Sequence, residues 1–266
     1  MFRVLGVIRG SQAMHAGLWQ QARTHRAALR SIDETMLTAA QLAPGECLLD
    51  AGCGAGASAN SIAAHHEGPV IGLTLVPEQA KRARRGGKAQ FLCADYAATP
   101  LCDASCDVVW MLESICHAPD KPALLDEIVR LLRPGGRLVI ADRFAARPDL
   151  SPAERDALRS WLYPWAMPDL VTADELIELA ALAGLQLSQR TDLTLSAGPS
   201  LRFLGHFAQL TLPAALVLRA LRLQSDLQIA AMRGCIAQTH TFNAGLWRYC
   251  LLRFDKPSGR ISREYT

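Results

Sequence analysis

Leu48-Leu-Asp-Ala-Gly-Cys-Gly-Ala-Gly56 sets three glycines at the point where an apolar strand must turn into a helix. Glycine lets the backbone come close to a ligand there, and the N-terminus of the following helix favours a polar, nucleotide-like occupant. Outward from this turn, apolar runs alternate with helix-period segments from about residue 46 to 142, the pattern of a parallel sheet wrapped by helices. Strands are expected at Glu46–Ala51, Pro69–Leu73, Lys88–Ala94, Cys106–Leu112 and Arg137–Asp142. Helices are expected after the glycine turn through Ala64, from about Pro77 to Arg85, and from Asp120 and Pro122 to the Pro134-Gly135-Gly136 stop.

Gly52, Gly54 and Ala57 also satisfy a G-x-G-x-x-A dinucleotide pattern, so the glycines alone fit both NAD and S-adenosylmethionine. Asp50 separates them. A carboxylate at the strand end repels a diphosphate but suits a cofactor that carries a sulfonium and an ammonium.

The chain has 266 residues, half of them hydrophobic, and a net charge of +3, which gives ample material for a core and argues against nucleic acid as partner. Its eight cysteines include no CxxC pair and fall mostly in apolar runs, so they read as reduced packing residues and no metal site is expected. Met1–Ile8 shows no secretory apolar run, and a cytoplasmic location is expected. The greasy stretch Phe203 to Ala220 is interrupted by His206, Gln209 and Arg219, so stable membrane insertion is not expected, although a mean hydropathy of +0.11 suits a greasy ligand pocket. The basic run Lys81 to Lys88 at a helix C-terminus reads as a solvated face.

Beyond Asp142 the pattern loosens. Arg147–Pro168 holds four of the 14 prolines and an aromatic cluster, and reads as a lid. Thr172 then starts a helix ending at Gly184, Leu185–Leu195 reads as a strand, helices follow from about Pro199 to Leu223 and Asp226 to Phe242, and Trp247–Phe254 reads as a last strand.

Taken in order, these motifs resemble the class I S-adenosylmethionine-dependent methyltransferases, over about Met14 to Lys256. Gly72-Leu-Thr-Leu-Val-Pro-Glu-Gln79 resembles the GxTLSxxQ segment of the sterol, tocopherol and cyclopropane-fatty-acid branch, with Val76 in place of the branch serine. The resemblance implies S-adenosylmethionine as cofactor, S-adenosylhomocysteine as product, and cofactor contacts at Asp50, Gly52, Gly54, Thr74, Leu75, Gln79 and Glu113. Cys93-Ala-Asp-Tyr96 resembles the adenine-contacting segment, which implies that Asp95 accepts from the adenine amino group and Tyr96 flanks the ring. His15-Ala-Gly-Leu-Trp19 resembles the HxGxW segment that closes over the cofactor in small-molecule members. The expected fold is α/β: a doubly wound, seven-stranded, mostly parallel Rossmann-like sheet with an N-terminal helix and a helical cap.

The fourth strand runs into Glu113-Ser-Ile-Cys-His-Ala-Pro119, which resembles sterol C-methyltransferases, whereas cyclopropane synthases place a Glu where Cys116 stands. Methyl transfer needs orientation more than a strong base. His117 would take or orient a proton from a phenol, acid or amine, and Glu113 would remove one after attack by an alkene. Trp161-Leu-Tyr-Pro-Trp165 packs three of the nine Trp and Tyr residues into one short run, and these rings suit an apolar pocket and a developing cation. With His15, Trp19, Phe203 and Phe207, the residues Trp161, Tyr163 and Trp165 are the candidate substrate contacts. Phe203, Leu204, Phe207, Leu210, Leu212, Leu216 and Val217 form a stripe that reads as core, as a homodimer seam or as a pocket wall.

The expected organisation is an N-terminal helical segment over residues 1–43, a cofactor-binding core over 44–142, a lid over 143–171, the rest of the core over 172–256 with a helical insertion at 198–243, and a tail over 257–266. The expected function is methyl transfer to a largely apolar small molecule such as a terpenoid, a sterol-like compound or another secondary metabolite, with carbon favoured over oxygen and nitrogen. Two alternatives stay open: a methyltransferase-like protein that keeps the cofactor unconsumed during another step such as cyclisation, and a nicotinamide-dependent oxidoreductase.

Overall fold

The computed structural model describes residues 15–259. The expectations placed on Met1–Ile8, on Met14 and on the end of the tail lie outside the described residues. Element order is α1 (His25–Ala40), β1 (Leu48–Ala51), α2 (Ala57–Ala63), β2 (Val70–Thr74), α3 (Pro77–Ala83), β3 (Gln90–Cys93), β4 (Cys106–Leu112), a 3-10 turn (Ile115–His117), α4 (Lys121–Leu131) and β5 (Leu132–Ala145). Then follow α5 (Pro152–Leu162), a second 3-10 turn (Tyr163–Trp165), α6 (Ala173–Leu182), β6 (Gln186–Asp192), α7 (Thr194–Ala220), α8 (Asp226–Asn243) and β7 (Trp247–Asp255).

The seven strands form one sheet, as expected, and its order is β3-β2-β1-β4-β5-β7-β6. The pairs β2/β3, β1/β2, β1/β4 and β4/β5 are parallel. Strand order reverses between β1 and β4, so their carboxyl ends diverge at the place where open α/β sheets bind ligands. In register, Asp50 of β1 lies between Gly72 of β2 and Trp110 of β4.

Two boundaries differ from the sequence reading for a physical reason. Pro134-Gly135-Gly136 does not separate helix from strand. The strand begins at Leu132 and carries these residues as a bulge, its pairing stepping from Cys106↔Leu132 to Val108↔Arg137. Gly135 has φ +80°, and its amide donates to the Lys256 carbonyl. Pro199, expected at a helix start, lies inside α7, which begins at Thr194, so Thr194 and Leu195, expected at the end of a strand, belong to the helix and β6 stops at Asp192.

The chain divides into two compact units. One comprises the described residues up to Ile32, Arg143–Ala173 and Asp192–Cys250; the other comprises Asp33–Asp142, Asp174–Thr191 and the described residues from Leu251. The second unit holds β1 to β4, the amphipathic helix α4 with buried Leu124, Leu125, Ile128 and Leu131, and the glycine turn. Asp120 caps α4, accepting from the Ala123 amide at 2.9 Å. Arg137 is buried, donates to the Ala40 and Gln41 carbonyls and forks onto Glu46, whose carboxyl it holds below the ordinary value.

In the first unit α7 and α8 pack as a hairpin through small residues. A Cβ on Gly205 would sit 2.0 Å from the Thr239 hydroxyl, which itself bonds the Leu201 carbonyl, so only glycine permits this approach. The stripe that reads as core, homodimer seam or pocket wall is only partly core. The buried face of α7 carries Ala197, Leu201, Gly205, Ala208 and Ala215, while Leu210 is 82% and Val217 62% exposed. Close packing puts small residues at the helix contact, Leu204 and Leu212 pack half-buried against the cluster of Ala208, Ala215, Ile229, Met232 and Cys235, and Leu210 and Val217 stay outside. By length and composition α7 is also the single helix among the described residues that could cross a membrane, with 22% of its most apolar window buried.

Candidate functional site

The site residues of the second unit gather where β1, β2, β3 and β4 end. The glycine turn is built by close approach. Gly52 has φ +101°, and a Cβ on it would lie 2.3 Å from the Ser114 Cβ. Gly56 has φ +77°, and a Cβ there would meet Ala83 and the Phe91 ring at 2.7 Å. The Gly52 and Cys53 amides both donate to the Leu73 carbonyl, so these two donors hold the turn against β2 and face no ligand.

Asp50 is buried at the end of β1. Its carboxyl is pushed up to about 8, chiefly by burial and then by the negative charge of Asp33. Asp33 in turn accepts a hydrogen bond from the Ser58 hydroxyl of α2 at 2.8 Å. A carboxyl held near its neutral form by burial, with a second carboxylate beside it, gains from a ligand cation and loses against a diphosphate. That property fits a sulfonium and ammonium donor.

At the end of β2, the Thr74 hydroxyl donates to Gln79 Oε1 at 2.7 Å and accepts from the Val76 amide at 3.2 Å. Thr74 and Gln79, both expected cofactor contacts, are thus bonded to each other, while Leu75 beside them is 62% exposed. After β3, Asp95 uses one carboxylate oxygen to accept from the Ala97 amide at 2.9 Å. Tyr96 donates to the Ser114 carbonyl at 3.0 Å, and burial, with nearby acidic groups, raises its phenol above the ordinary range.

Glu113 follows β4 with φ +49°, a left-handed backbone unusual for a residue with a side chain, and its amide donates to the Ala141 carbonyl at 2.9 Å. His117 is exposed at the end of the short 3-10 turn. That turn is fixed by buried charge: the Cys116 amide donates to the Asp142 carboxylate at 3.0 Å, and Lys121 Nζ donates to the Ala118 carbonyl at 3.0 Å. Burial lowers the Lys121 ammonium, while the neighbouring Cys116 and Asp142 oppose that shift.

Ser114, Asp142, Lys121 and Asp33 escaped the sequence reading. Asp142 left a signal, since an acid ending an apolar strand at the carboxyl edge is out of place in a core. Ser114 and Asp33 left none, because their roles depend on partners 63 and 25 residues away.

The candidate substrate residues all belong to the first unit. Ser200 of α7 holds the His15 to Trp19 segment: its hydroxyl accepts from the Gly17 amide at 3.0 Å and from Trp19 Nε1 at 2.8 Å, and donates to the Gly17 carbonyl at 3.0 Å. His15 Nδ1 bonds the Ala16 carbonyl. Rings of Trp19, His25, Phe203 and Phe207 follow one another at centroid spacings of 6.1, 5.8 and 6.3 Å. A separate cluster joins Trp165, Trp161, Trp247 and Phe242 at 5.9, 5.6 and 5.2 Å. Tyr163 is 58% exposed and stands apart from both. Among the described residues no group of His, Cys, Asp and Glu could hold a metal ion.

Comparison with known proteins places this geometry. Residues 49–140 match the methyltransferase domain family. An O-methyltransferase from Pyrenophora dematioidea is 34% identical over 191 residues, covering 68% of this chain and 70% of that one. The 24-methylenesterol C-methyltransferase 2 of Oryza sativa subsp. japonica is 31% identical over 194 residues, 69% of this chain and 53% of that protein. The crystal structure of the cyclase SpnF shares the fold with a TM-score of 0.77 at 23% identity, over 97% of this chain and 92% of that one. The sheet order, the cation-seeking carboxyl at the glycine turn and these relatives agree, and the chain belongs to the class I S-adenosylmethionine-dependent methyltransferases.

Proposed function

We propose that this enzyme methylates a carbon or oxygen of a largely apolar small molecule. The observation that carries the reading is the pair of ring clusters in the first unit, above all the buried Trp161 and Trp247 with Phe242 and Trp165. Such faces bind apolar skeletons and stabilise passing positive charge. S-adenosylmethionine supplies a methyl group already activated on a sulfonium. The chain's own residues do the rest: Asp50 offers a charge partner, Gly52 lets the turn close on Ser114, and Tyr96 and Asp95 frame the adenine side. Glu113 and His117 are the groups placed to hold or move a proton. Orientation alone can supply roughly 7–11 kcal/mol of the barrier reduction, so no stronger base is required.

None of the eight cysteines is joined in a disulfide, which suits a reducing, cytoplasmic setting. The test is incubation of the enzyme with trideuteromethyl-labelled cofactor and terpenoid, sterol and phenolic extracts, followed by mass spectrometry. A labelled apolar product supports the reading. Label found only on polar metabolites, or cofactor bound and never consumed, overturns it.

A further inference from the structure

Gln238 of α8 is fully buried, and neither its Nε2 nor its Oε1 has a hydrogen-bond partner. The indole nitrogens of Trp161 and Trp165 are likewise buried and unpaired. A buried carboxamide and two indole N–H groups left unsatisfied are costly unless another molecule meets them.

Contacts inside a single unit bring Trp161 and Trp165 to the face of α8 that carries Gln238. A Cβ on Gly234 would lie 2.9 Å from Trp165 Nε1, which fixes Trp165 against the first part of that face. Trp247 Nε1 donates to the Thr241 hydroxyl at 3.1 Å, which fixes Trp247 against the last part. Trp161 packs on both rings, at 5.9 and 5.6 Å, and so sits between them. Residues 234, 238 and 241 share one helix face at i, i+4 and i+7, so the stretch of α8 opposite Trp161 is that of Gln238.

We propose that Gln238, with the Trp161 and Trp165 indoles, forms a polar recognition point inside the aromatic cluster that binds a hydroxyl or carbonyl oxygen of the acceptor. Donors outnumber acceptors there: each indole offers one N–H and the carboxamide two, against one carbonyl oxygen. An oxygen function is therefore the matching ligand chemistry, carried on an apolar skeleton that the surrounding rings contact. This deepens the small-molecule reading above and rests on it. Gln238 is a specificity-determining residue here, since a site built to hydrogen-bond an oxygen rejects the analogue that lacks it.

The experiment uses the full chain with 15N-labelled tryptophan, its indole signals assigned from Trp161→Phe and Trp165→Phe, titrated with α-tetralone, α-tetralol and tetralin. These probes match in size and differ only in the oxygen. The two oxygenated probes are expected to move the Trp161 and Trp165 indole signals and to bind at least tenfold more tightly than tetralin, and Gln238→Leu is expected to abolish that preference. A second measurement guards against a merely structural amide: in the absence of any probe, Gln238→Leu should raise Tm by a few degrees, because an unsatisfied buried group is removed. Equal binding of all three probes, no movement of either indole signal, or a lower Tm for Gln238→Leu with the preference intact would each overturn the proposal. Calorimetry with S-adenosylhomocysteine is run alongside on the parent protein. Failure of that binding would sink the methyltransferase reading of the second unit without altering the probe result.

Discussion

The Ser114 hydroxyl donates to the Ala51 carbonyl at 2.6 Å, tying the end of β4 to the end of β1 across the point where strand order reverses. The same serine accepts from Tyr96 through its backbone carbonyl at 3.0 Å, so one residue joins the glycine turn to the segment after β3. Gly52 is glycine because Ser114 is there, with a Cβ clearance of 2.3 Å. Gly52→Ala should therefore lower stability by about 1–3 kcal/mol and weaken S-adenosylhomocysteine binding at least tenfold. Ser114→Gly in the same chain should restore part of the loss by removing the clash, but not the part due to a φ of +101°. Denaturant unfolding of both single variants and the double variant checks this, and strictly additive losses would contradict it.

Asp50 makes the enzyme pH-sensitive in two ways. Its folded value, about 8, lies above the ordinary 3.8, so between those values the folded protein holds a proton that the unfolded chain has released. Its contribution to stability is intact below about pH 4, declines as pH rises through that window, and is flat above about pH 8. Asp50→Asn should remove this decline and leave the cofactor-free protein more stable than the parent at pH 8. Affinity of the parent for the cationic donor should move the opposite way, tightening up to about pH 8 with release of a proton on binding, and Asp50→Asn should lose at least tenfold of it. Thermal scans and calorimetry in buffers of differing ionisation enthalpy read both effects.

Glu113 carries backbone strain at the carboxyl end of β4. A left-handed φ on a side-chain-bearing residue costs on the order of 1–3 kcal/mol, and such strain collects at ligand sites. Glu113→Gly should hold or raise Tm while removing the carboxylate, whereas Glu113→Gln keeps the strain and removes only the charge. If the carboxylate meets the cofactor, both variants weaken S-adenosylhomocysteine about tenfold and leave single-turnover rates little changed, consistent with loss of one charge-assisted contact of about 1.5–3 kcal/mol. Unchanged affinity with a collapsed single-turnover rate would instead make Glu113 the proton acceptor.

How far the sequence reaches is visible in these residues. The glycine turn, the four parallel strands around it and the capped start of α4 follow from local patterns, because apolar periodicity and turn chemistry act over a few residues. The whole Cys106–Leu112 strand was legible to the residue, since it is buried on both faces and reads as one apolar run. Roles that depend on distant partners were not. Thr74 and Gln79 look like ligand contacts in the motif, yet their side chains first bond each other, and Gln238 looks like an ordinary polar position of a helix although it is fully buried. The stripe from Phe203 to Val217 stays open between core, homodimer seam and pocket wall in the sequence because periodicity shows that a helix has an apolar face without showing what covers it; Leu204 and Leu212 pack on the core while Leu210 and Val217 are exposed.

Ser200 offers the clearest test of what the His15 to Trp19 segment is for in the first unit. Its hydroxyl serves the Gly17 amide, the Gly17 carbonyl and the Trp19 indole, and Gly17 itself lies so close to α1 that a Cβ would sit 2.6 Å from the Ala28 carbonyl carbon. Ser200→Ala leaves at least two donors without their partner, at about 1–3 kcal/mol for each group that stays buried. Tm should fall by several degrees, and Trp19 fluorescence should shift to the red as the indole loosens. Ser200→Thr retains a hydroxyl on a stiffer side chain and should recover part of both signals. Gly17→Ala should be the more damaging change, because the obstructing atoms are backbone and cannot rotate away. If Ser200→Ala leaves both Tm and the Trp19 emission unaltered, this serine does not hold the segment, and the order of that strand of chain must come from the ring contacts between Trp19, His25 and Phe203.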